Sequence, residues 1–251
     1  MTQTKVFIIN LDRSPERLQS IQQQLVSCRY DIEKISAVDG KFLPDLEHIE
    51  HYSVNNNKKQ YFRPLTKGEI GCYLSHRAAW QAIVDQQLDF AVIVEDDVVI
   101  DSDVNLVIEQ LSNINIEWDY IKLAPYRNRQ SKPVFKRNYQ GTELAFFHKA
   151  MPGTAAQAVS YKGAEKLLAA STAFGRPVDT DLQHCWEKDV IILNLSPFPF
   201  KDNCEFESDI SAISSRKSLT LSSKFKKQQI QIKKYFNNKK YITATIAKLS
   251  K

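Results

Sequence analysis

Phe90-Ala91-Val92-Ile93-Val94-Glu95-Asp96-Asp97 is an apolar run that ends in three consecutive acids. A run of this length and β-branched content reads as a strand buried on both faces, of the kind that sits inside an α/β sheet. Its carboxylates then arrive at the C-terminal edge, where such sheets bind ligands. Three adjacent carboxylates repel one another, and a divalent cation with oxygen ligands relieves that repulsion. A cation held there can carry a phosphate. A solvated acidic turn would have the same triplet, so the rest of the chain has to decide between the two.

Outward from this strand the pattern alternates. Residues 5–10 (KVFIIN) read as a strand, followed by Leu11-Asp12-Arg13 and then Ser14-Pro15, where serine suits an N-cap and proline the first helical position. Leu18, Ile21 and Leu25 continue at helical spacing. Residues 31–38 read as a second strand closing on Asp39-Gly40. Residues 41–64, with Asn55-Asn56-Asn57-Lys58-Lys59, read as an irregular, mobile surface loop whose stretch 52–62 is expected to close over a ligand. Thr66-Lys67-Gly68-Glu69 is a capping box opening a helix that runs to about residue 87. Further strands are expected at 120–123, 156–160 and 190–195, with helices at 103–112, 162–171 and 179–188 and variable loops such as 126–154. The alternation predicts an α/β fold with a mostly parallel, Rossmann-like sheet, helices on both faces and ligands at the strand C-terminal ends. We expect one such domain over residues 1–215 and a basic helical tail over 216–251.

At 251 residues and 43% hydrophobic, the chain is long enough for one full core. It has no apolar run near the ~20 residues of a spanning helix, and its start lacks the basic, apolar and small-residue regions of a signal peptide, so a cytoplasmic location is expected. Cys28, Cys72, Cys185 and Cys204 form no closely spaced pair, which argues for reduced thiols over a zinc knuckle or a disulfide framework. The formal sequon Asn194-Leu195-Ser196 is read as chance on the same ground. Residues 216–251 hold eleven of the 34 basic residues and none of the 29 acids, so the net charge of +5 belongs to the tail and the remainder is net acidic. Phe225, Ile232, Tyr235 and Phe236 run between the lysines, a mixture expected to lie on an anionic membrane surface. No nucleic-acid module precedes the tail, so no nucleic-acid partner is expected.

The chain lacks the glycine-rich dinucleotide fingerprint, the phosphate loop and the Gly-x-Ser-x-Gly nucleophile turn, which removes three large enzyme classes. What remains is a sheet whose first strands end at Asp12-Arg13 and Asp39-Gly40, with an acid triplet after a later one. That set suits a nucleoside diphosphate, its base and ribose held by carboxylates and its phosphates by metal and arginine. Residues 7–17 (FIINLDRSPER), 37–40 (AVDG), 65–76 (LTKGEIGCYLSH), 94–98 (VEDDV) and 177–179 (PVD) resemble, in order, the signatures of glycosyltransferase family 25 across roughly residues 5–210. The resemblance implies a GT-A-type fold, a UDP-sugar donor, Mn²⁺ or Mg²⁺, and inversion at the anomeric carbon. It also implies transfer of a hexose, foremost galactose from UDP-galactose, to a lipid-linked lipopolysaccharide or lipooligosaccharide acceptor at the inner face of the cytoplasmic membrane. The alternative is a non-catalytic nucleotide- or sugar-binding protein that keeps the fold.

On that resemblance the residues take roles. Asp97 is the first metal ligand and Glu95 a ribose or metal contact, since the strand pleat points these two one way and Asp96 the other, to cap the next turn. Asp39 would read uracil or ribose, with Asp12 beside it. Arg13 and then Arg17 would hold pyrophosphate through paired donors. Ser75 and His76, on the capped helix, are donor-side candidates, and Cys72 shares their face as packing. Glu69 is explained by the capping box. Asp179 and then Asp181 are candidates for the base that deprotonates the acceptor, with N-capping and first-turn solvation as their plainer roles. His184 is the one weak candidate for a late metal-binding histidine.

Overall fold

A computed structural model of the chain describes residues 2–125, 133–139, 141–147, 149–202 and 221–249. Its centre is an eight-stranded sheet. The strands, numbered along the chain, are β1 (Thr4–Asn10), β2 (Ile32–Ser36), β3 (Phe90–Glu95), β5 (Tyr120–Lys122), β6 (Pro133–Tyr139), β7 (Thr142–Phe147), β8 (Ala156–Ser160) and β9 (Ile192–Ser196). They lie in the order β2-β1-β3-β8-β5-β9-β7-β6, while β4 (Val98–Ile100) and β10 (Phe200–Asp202) form a separate two-stranded ribbon. From the pairings, β2, β1, β3, β5, β9 and β6 run one way, and only β8 and β7 run against them.

Alternate side chains of the central strands feed two cores. Phe7, Ile9, Ala91 and Ile93 face the layer of α3 (Lys67–Asp85) and α5 (Tyr161–Ala170). Val6, Ile8, Val92 and Val94 face α1 (Pro15–Gln24) and α4 (Val104–Ser112), through Ile21, Leu25, Val107, Ile108 and Leu111. The expected helix-covered, mostly parallel sheet is therefore present, and the near-continuous burial of β1 and β3 is the mark of strands covered on both faces. Register matters for function: β1 pairs with β3 in parallel, with Ile9 opposite Glu95, so both strands release their chains at the same edge.

The capping box forms as read. Thr66 Oγ1 accepts from Glu69 N at 3.1 Å and Glu69 Oε2 accepts from Thr66 N at 2.9 Å. Ser14, by contrast, makes no side-chain cap; its carbonyl accepts from the Asn10 amide at 2.9 Å, which fixes the turn into α1 from the strand side.

Residues 41–64 are not an irregular loop. They hold helical turns and the helix α2 (Val54–Gln60), capped by Ser53, with Asn57 buried and donating to Arg63 O and Gly175 O. Tyr52 packs on Phe174, which stacks on Tyr73 of α3 at 3.8 Å. The polar composition misled because these asparagines satisfy backbone carbonyls of neighbouring segments instead of water. Within 126–154, β6 and β7 form an edge hairpin on the sheet; the flanking 126–132 lies outside the described residues. The expected helix at 179–188 is a single turn, α6 (Val178–Leu182), followed by a 3-10 turn at Cys185–Glu187.

The tail forms one helix, α7 (Leu221–Leu249). Its buried stripe is Lys234, Asn238, Ile242, Thr245 and Leu249, spaced by three and four residues along one side. Phe225, Ile232, Tyr235 and Phe236 remain largely exposed. Near its start, Lys227 sits over the Phe62 ring at 5.1 Å. Cys28, Cys72 and Cys185 are free thiols, and Cys204 lies outside the described residues. No helix among the described residues is long and apolar enough to cross a membrane.

One close approach sets the position of α3. A Cβ on Gly71 would stand 2.4 Å from Val38 O, in the chain leaving β2. Gly71→Ala should therefore cost about 1–3 kcal/mol through overpacking, read as a lower urea midpoint with unchanged slope. An unchanged midpoint would mean that this loop gives way freely.

Candidate active site

Where β1, β2 and β3 release their chains, a cleft with about 800 Å³ of empty space, part of it open to solvent, is lined by Arg13, Arg17, Asp39, Ser75, His76, Glu95, Asp96 and Asp97. Eight residues singled out from the sequence for ligand chemistry, or beside it, thus meet in one place.

The acid triplet departs from the reading of its pleat. β3 ends at Glu95, so side-chain alternation stops there, and all three acids line the cleft. Each is handled differently. Glu95 Oε1 accepts from Thr154 Oγ1 at 2.7 Å and lies 3.1 Å from His76 Nε2. Gln157 Nε2 donates to His76 Nδ1 at 3.0 Å, which assigns the remaining ring proton to Nε2, facing Glu95. Burial works to raise the Glu95 pKa, but the His76 and Thr154 hydrogen bonds and the nearby Lys122 charge hold it below the usual carboxylate value. Asp96, expected only to cap a turn, accepts from Asn10 Nδ2 at 2.6 Å and pairs with Arg17 at 3.7 Å. Asp97 lines the cleft and exerts its charge on Cys72, whose thiol is pushed well up, first by burial.

On the β2 side, Asp39 caps the turn at Gly40–Phe42, accepting from Lys41 N at 2.9 Å and from Arg13 Nε at 2.8 Å. The Lys41 N–H, followed by Arg13, holds its carboxyl below the ordinary value despite some burial. Ser75 Oγ accepts from Val38 N at 2.9 Å and donates to Gly71 O at 2.7 Å, so it pins the loop that carries Asp39. Asp12 does not line the cleft: its carboxylate turns to Lys34 Nζ at 2.5 Å and Ser36 Oγ at 3.0 Å.

The two acids of α6 part ways. Asp179 is half-buried and its charge reaches Cys72, Tyr120 and Lys122, as that of Glu95 does, but it does not line the cleft. Asp181 is buried and fully committed, to Arg176 at 2.9 Å, Lys188 at 3.0 Å and Tyr73 OH at 2.7 Å. A carboxylate held by two cations is a poor proton acceptor, which weighs against Asp181 as a base. His184 is buried beside Trp186, with Nδ1 against Thr180 O, and does not line the cleft.

Sequence reasoning missed Asn10, Lys122, Thr154 and Gln157. Lys122 is buried at the end of β5, donates to Pro152 O and Gly153 O, and is pushed down to about 8 by burial, with Asp179 and Glu95 acting against that shift. The available signal was a polar residue interrupting an apolar strand: Asn10 closes FIIN, Lys122 follows Tyr120-Ile121, and Gln157 breaks Ala155-Ala156 from Ala158-Val159. Among the described residues, Cys72, His76 and Glu95 have ligand atoms within 4.8 Å of one another. Both His76 nitrogens are already hydrogen-bonded, and a thiol that burial keeps protonated is a poor metal ligand. Glu95, Asp96 and Asp97 offer the oxygen donors that Mn²⁺ and Mg²⁺ prefer, but among the described residues these three are not grouped within that distance of one another.

The model of glycosyltransferase family 25 (LPS biosynthesis protein) matches residues 3–182. Procollagen galactosyltransferase 1 of Danio rerio is 30% identical over 220 residues, covering 82% of this chain and 35% of its own length. Procollagen galactosyltransferase 2 of Mus musculus is 27% identical over 206 residues, covering 73% and 30%. Inactive glycosyltransferase 25 family member 3 of Mus musculus is 30% identical over 172 residues, covering 66% and 28%. The chain thus spans about a third of the length of the curated relatives it matches. A crystal structure of a glycosyltransferase involved in the glycosylation of the major capsid of PBCV-1 aligns with a TM-score of 0.46 at 10% identity, over 82% of this chain and 94% of that one. A likeness at that level assigns no residue.

Asp181→Asn should destabilise the fold by about 3 kcal/mol or more, because Arg176 and Lys188 lose their buried counter-charge. The depressed Asp181 pKa makes its contribution one that is present above the unfolded carboxylate range and lost as pH falls below about 4 and through the folded value. Thermal melts from neutral to acid pH should show the variant losing part of that acid sensitivity; melts parallel to wild type would contradict the assignment.

Proposed function

The chain belongs to glycosyltransferase family 25, and from that premise we propose that it is an inverting, GT-A-type transferase that moves a hexose, foremost galactose from UDP-galactose, onto a lipid-linked lipopolysaccharide or lipooligosaccharide acceptor. The observation that carries this reading is the meeting of two arginines and four carboxylates at one strand edge, with a separate acid, Asp179, whose charge reaches Cys72 of that cleft.

In this reading Asp39 and the backbone of its loop take the uracil and ribose. Arg13 and Arg17 turn from Asp39 and Asp96 to the diphosphate, which offers paired oxygens to their forked donors. Asp97 and Glu95 would hold Mn²⁺ or Mg²⁺, which when bound neutralises the diphosphate as it leaves. His76, Thr154 and Gln157 act through Glu95, keeping its carboxylate oriented. Asp179 accepts the proton of the acceptor hydroxyl as that oxygen attacks the anomeric carbon from the face opposite the departing UDP. The exposed ridge Phe225–Ile232–Phe236, flanked by Lys233, Lys239 and Lys240, supports a peripheral seat on the anionic inner face of a membrane, beside a lipid-linked acceptor.

The second reading, a nucleotide-sugar binder without turnover, is favoured by the relatives whose names include the word inactive. Incubating the protein with UDP-galactose and Mn²⁺ in the absence of acceptor separates the two, since a transferase leaks slowly to water and a binder releases no UDP. For the transferase, UDP titrated calorimetrically should need the divalent ion and lose affinity in Asp97→Ala; equal affinity in all four combinations would remove the metal from the account. Asp179→Asn should keep UDP affinity and lower kcat by about a hundredfold or more, and survival of transfer within about tenfold would place the base elsewhere. Deleting residues 221–249 should weaken binding to phosphatidylglycerol vesicles and abolish its salt dependence; retained, salt-sensitive binding would rule out this helix as the membrane contact.

A further inference from the structure

A second pocket lies along the flank of α7 and shares no lining residue with the cleft already described. It is lined by Lys149, Gln231, Lys234, Tyr235, Asn238 and Lys239. Three of these six side chains carry an ammonium group, two carry a primary amide, and no carboxylate lines it among the described residues.

Two features separate it from a solvated lysine surface. Lys234 is only 3% exposed and Asn238 only 6%, so their donors are built into the wall and do not sweep through water. The described partner of Lys234 is the neutral Gln183 Oε1, which uses one of the three donors of the ammonium. A buried ammonium facing an amide and two further lysines is costly unless a counter-charge joins it. Burial, with the Lys149 charge adding to it, pushes Lys234 down to about 7, and Asp179 and Cys185 offset this only in part. The pocket therefore has the character of an anion site.

The donor set points to phosphate. Three ammonium groups with two amides offer several hydrogen bonds from different directions, which matches the tetrahedral oxygens of a phosphate better than a planar carboxylate. Tyr235, exposed on the pocket rim, also touches Phe236 at 5.5 Å between ring centroids, and Phe236 belongs to the outward apolar ridge. We propose that this pocket binds a phosphate-bearing ligand, its phosphate held by Lys149, Lys234, Lys239 and Asn238. The ligand is either a lipid whose apolar part lies along the ridge or a soluble phosphate. The site is separate from the donor cleft and does not depend on how that cleft is read.

Inorganic phosphate, titrated by calorimetry into the full chain at constant ionic strength, tests it. Wild type should bind saturably, and Lys149→Gln/Lys239→Gln, which changes two exposed residues, should bind about tenfold more weakly or worse. Lys234→Met serves as a second variant once circular dichroism shows it folded, and UDP affinity should be unchanged in the double variant. Vesicles containing phosphatidic acid, compared with phosphatidylglycerol vesicles of equal charge, separate the sources. A lipid ligand predicts stronger retention on phosphatidic acid than on phosphatidylglycerol, a preference lost in the double variant, whereas a soluble ligand predicts phosphate saturation with no such preference in either protein. Non-saturable phosphate uptake, or equal phosphate and vesicle binding in wild type and double variant, would overturn the proposal.

Discussion

Three consecutive carboxylates at the end of a buried strand repel one another, and the surrounding structure is arranged around that repulsion. Glu95 is met by His76 from α3 and Thr154 from the segment before β8; Asp96 is met by Asn10 from β1 and Arg17 from α1. Gln157, buried within β8, sets the histidine ring from behind. Each compensating group comes from a different element, so the acids tie together the strands and helices that converge on the cleft. Uncompensated, such a cluster would raise its own pKa values and lose its charge, and with it any capacity to hold a cation.

The same economy of position separates residues that sequence leaves equivalent. Asp179 and Asp181 stand two apart in one helical turn, yet Asp181 points into Arg176 and Lys188 and holds α6 to the domain, while Asp179 lies within electrostatic reach of buried Lys122. Ser75 and His76 are adjacent and both line the cleft, yet Ser75 fixes the Asp39 loop and His76 orients Glu95. Support of this kind, one residue removed from the ligand, is what holds a site within the tolerance that chemistry demands.

Much of this was legible because it rests on local rules. The triplet after an apolar strand, the capping box at Thr66 and the strands ending near Arg13 and Asp39 are patterns that short-range physics writes directly into sequence. What was not legible depended on contacts across the fold. The asparagines of α2 read as loop residues because their carbonyl partners at Arg63 and Gly175 are invisible to periodicity. Asp96 was misplaced because the strand ends at Glu95, two residues earlier than the pleat argument assumed. The α7 tail read as basic and amphipathic, but which stripe it buries is decided by the domain it meets, and that stripe contains Lys234, Asn238 and Thr245.

The central claim is that the edge formed by β1, β2 and β3 receives a nucleoside diphosphate with its cation. Crystals grown with UDP and Mn²⁺, measured for anomalous scattering, test it most directly. The account predicts a manganese peak against the carboxylates of Asp97 and Glu95, with the diphosphate between it and Arg13 or Arg17 and the uridine toward Asp39. A peak at Cys72 and His76 with no contact to Asp97, or a nucleotide seated away from this edge, would contradict it.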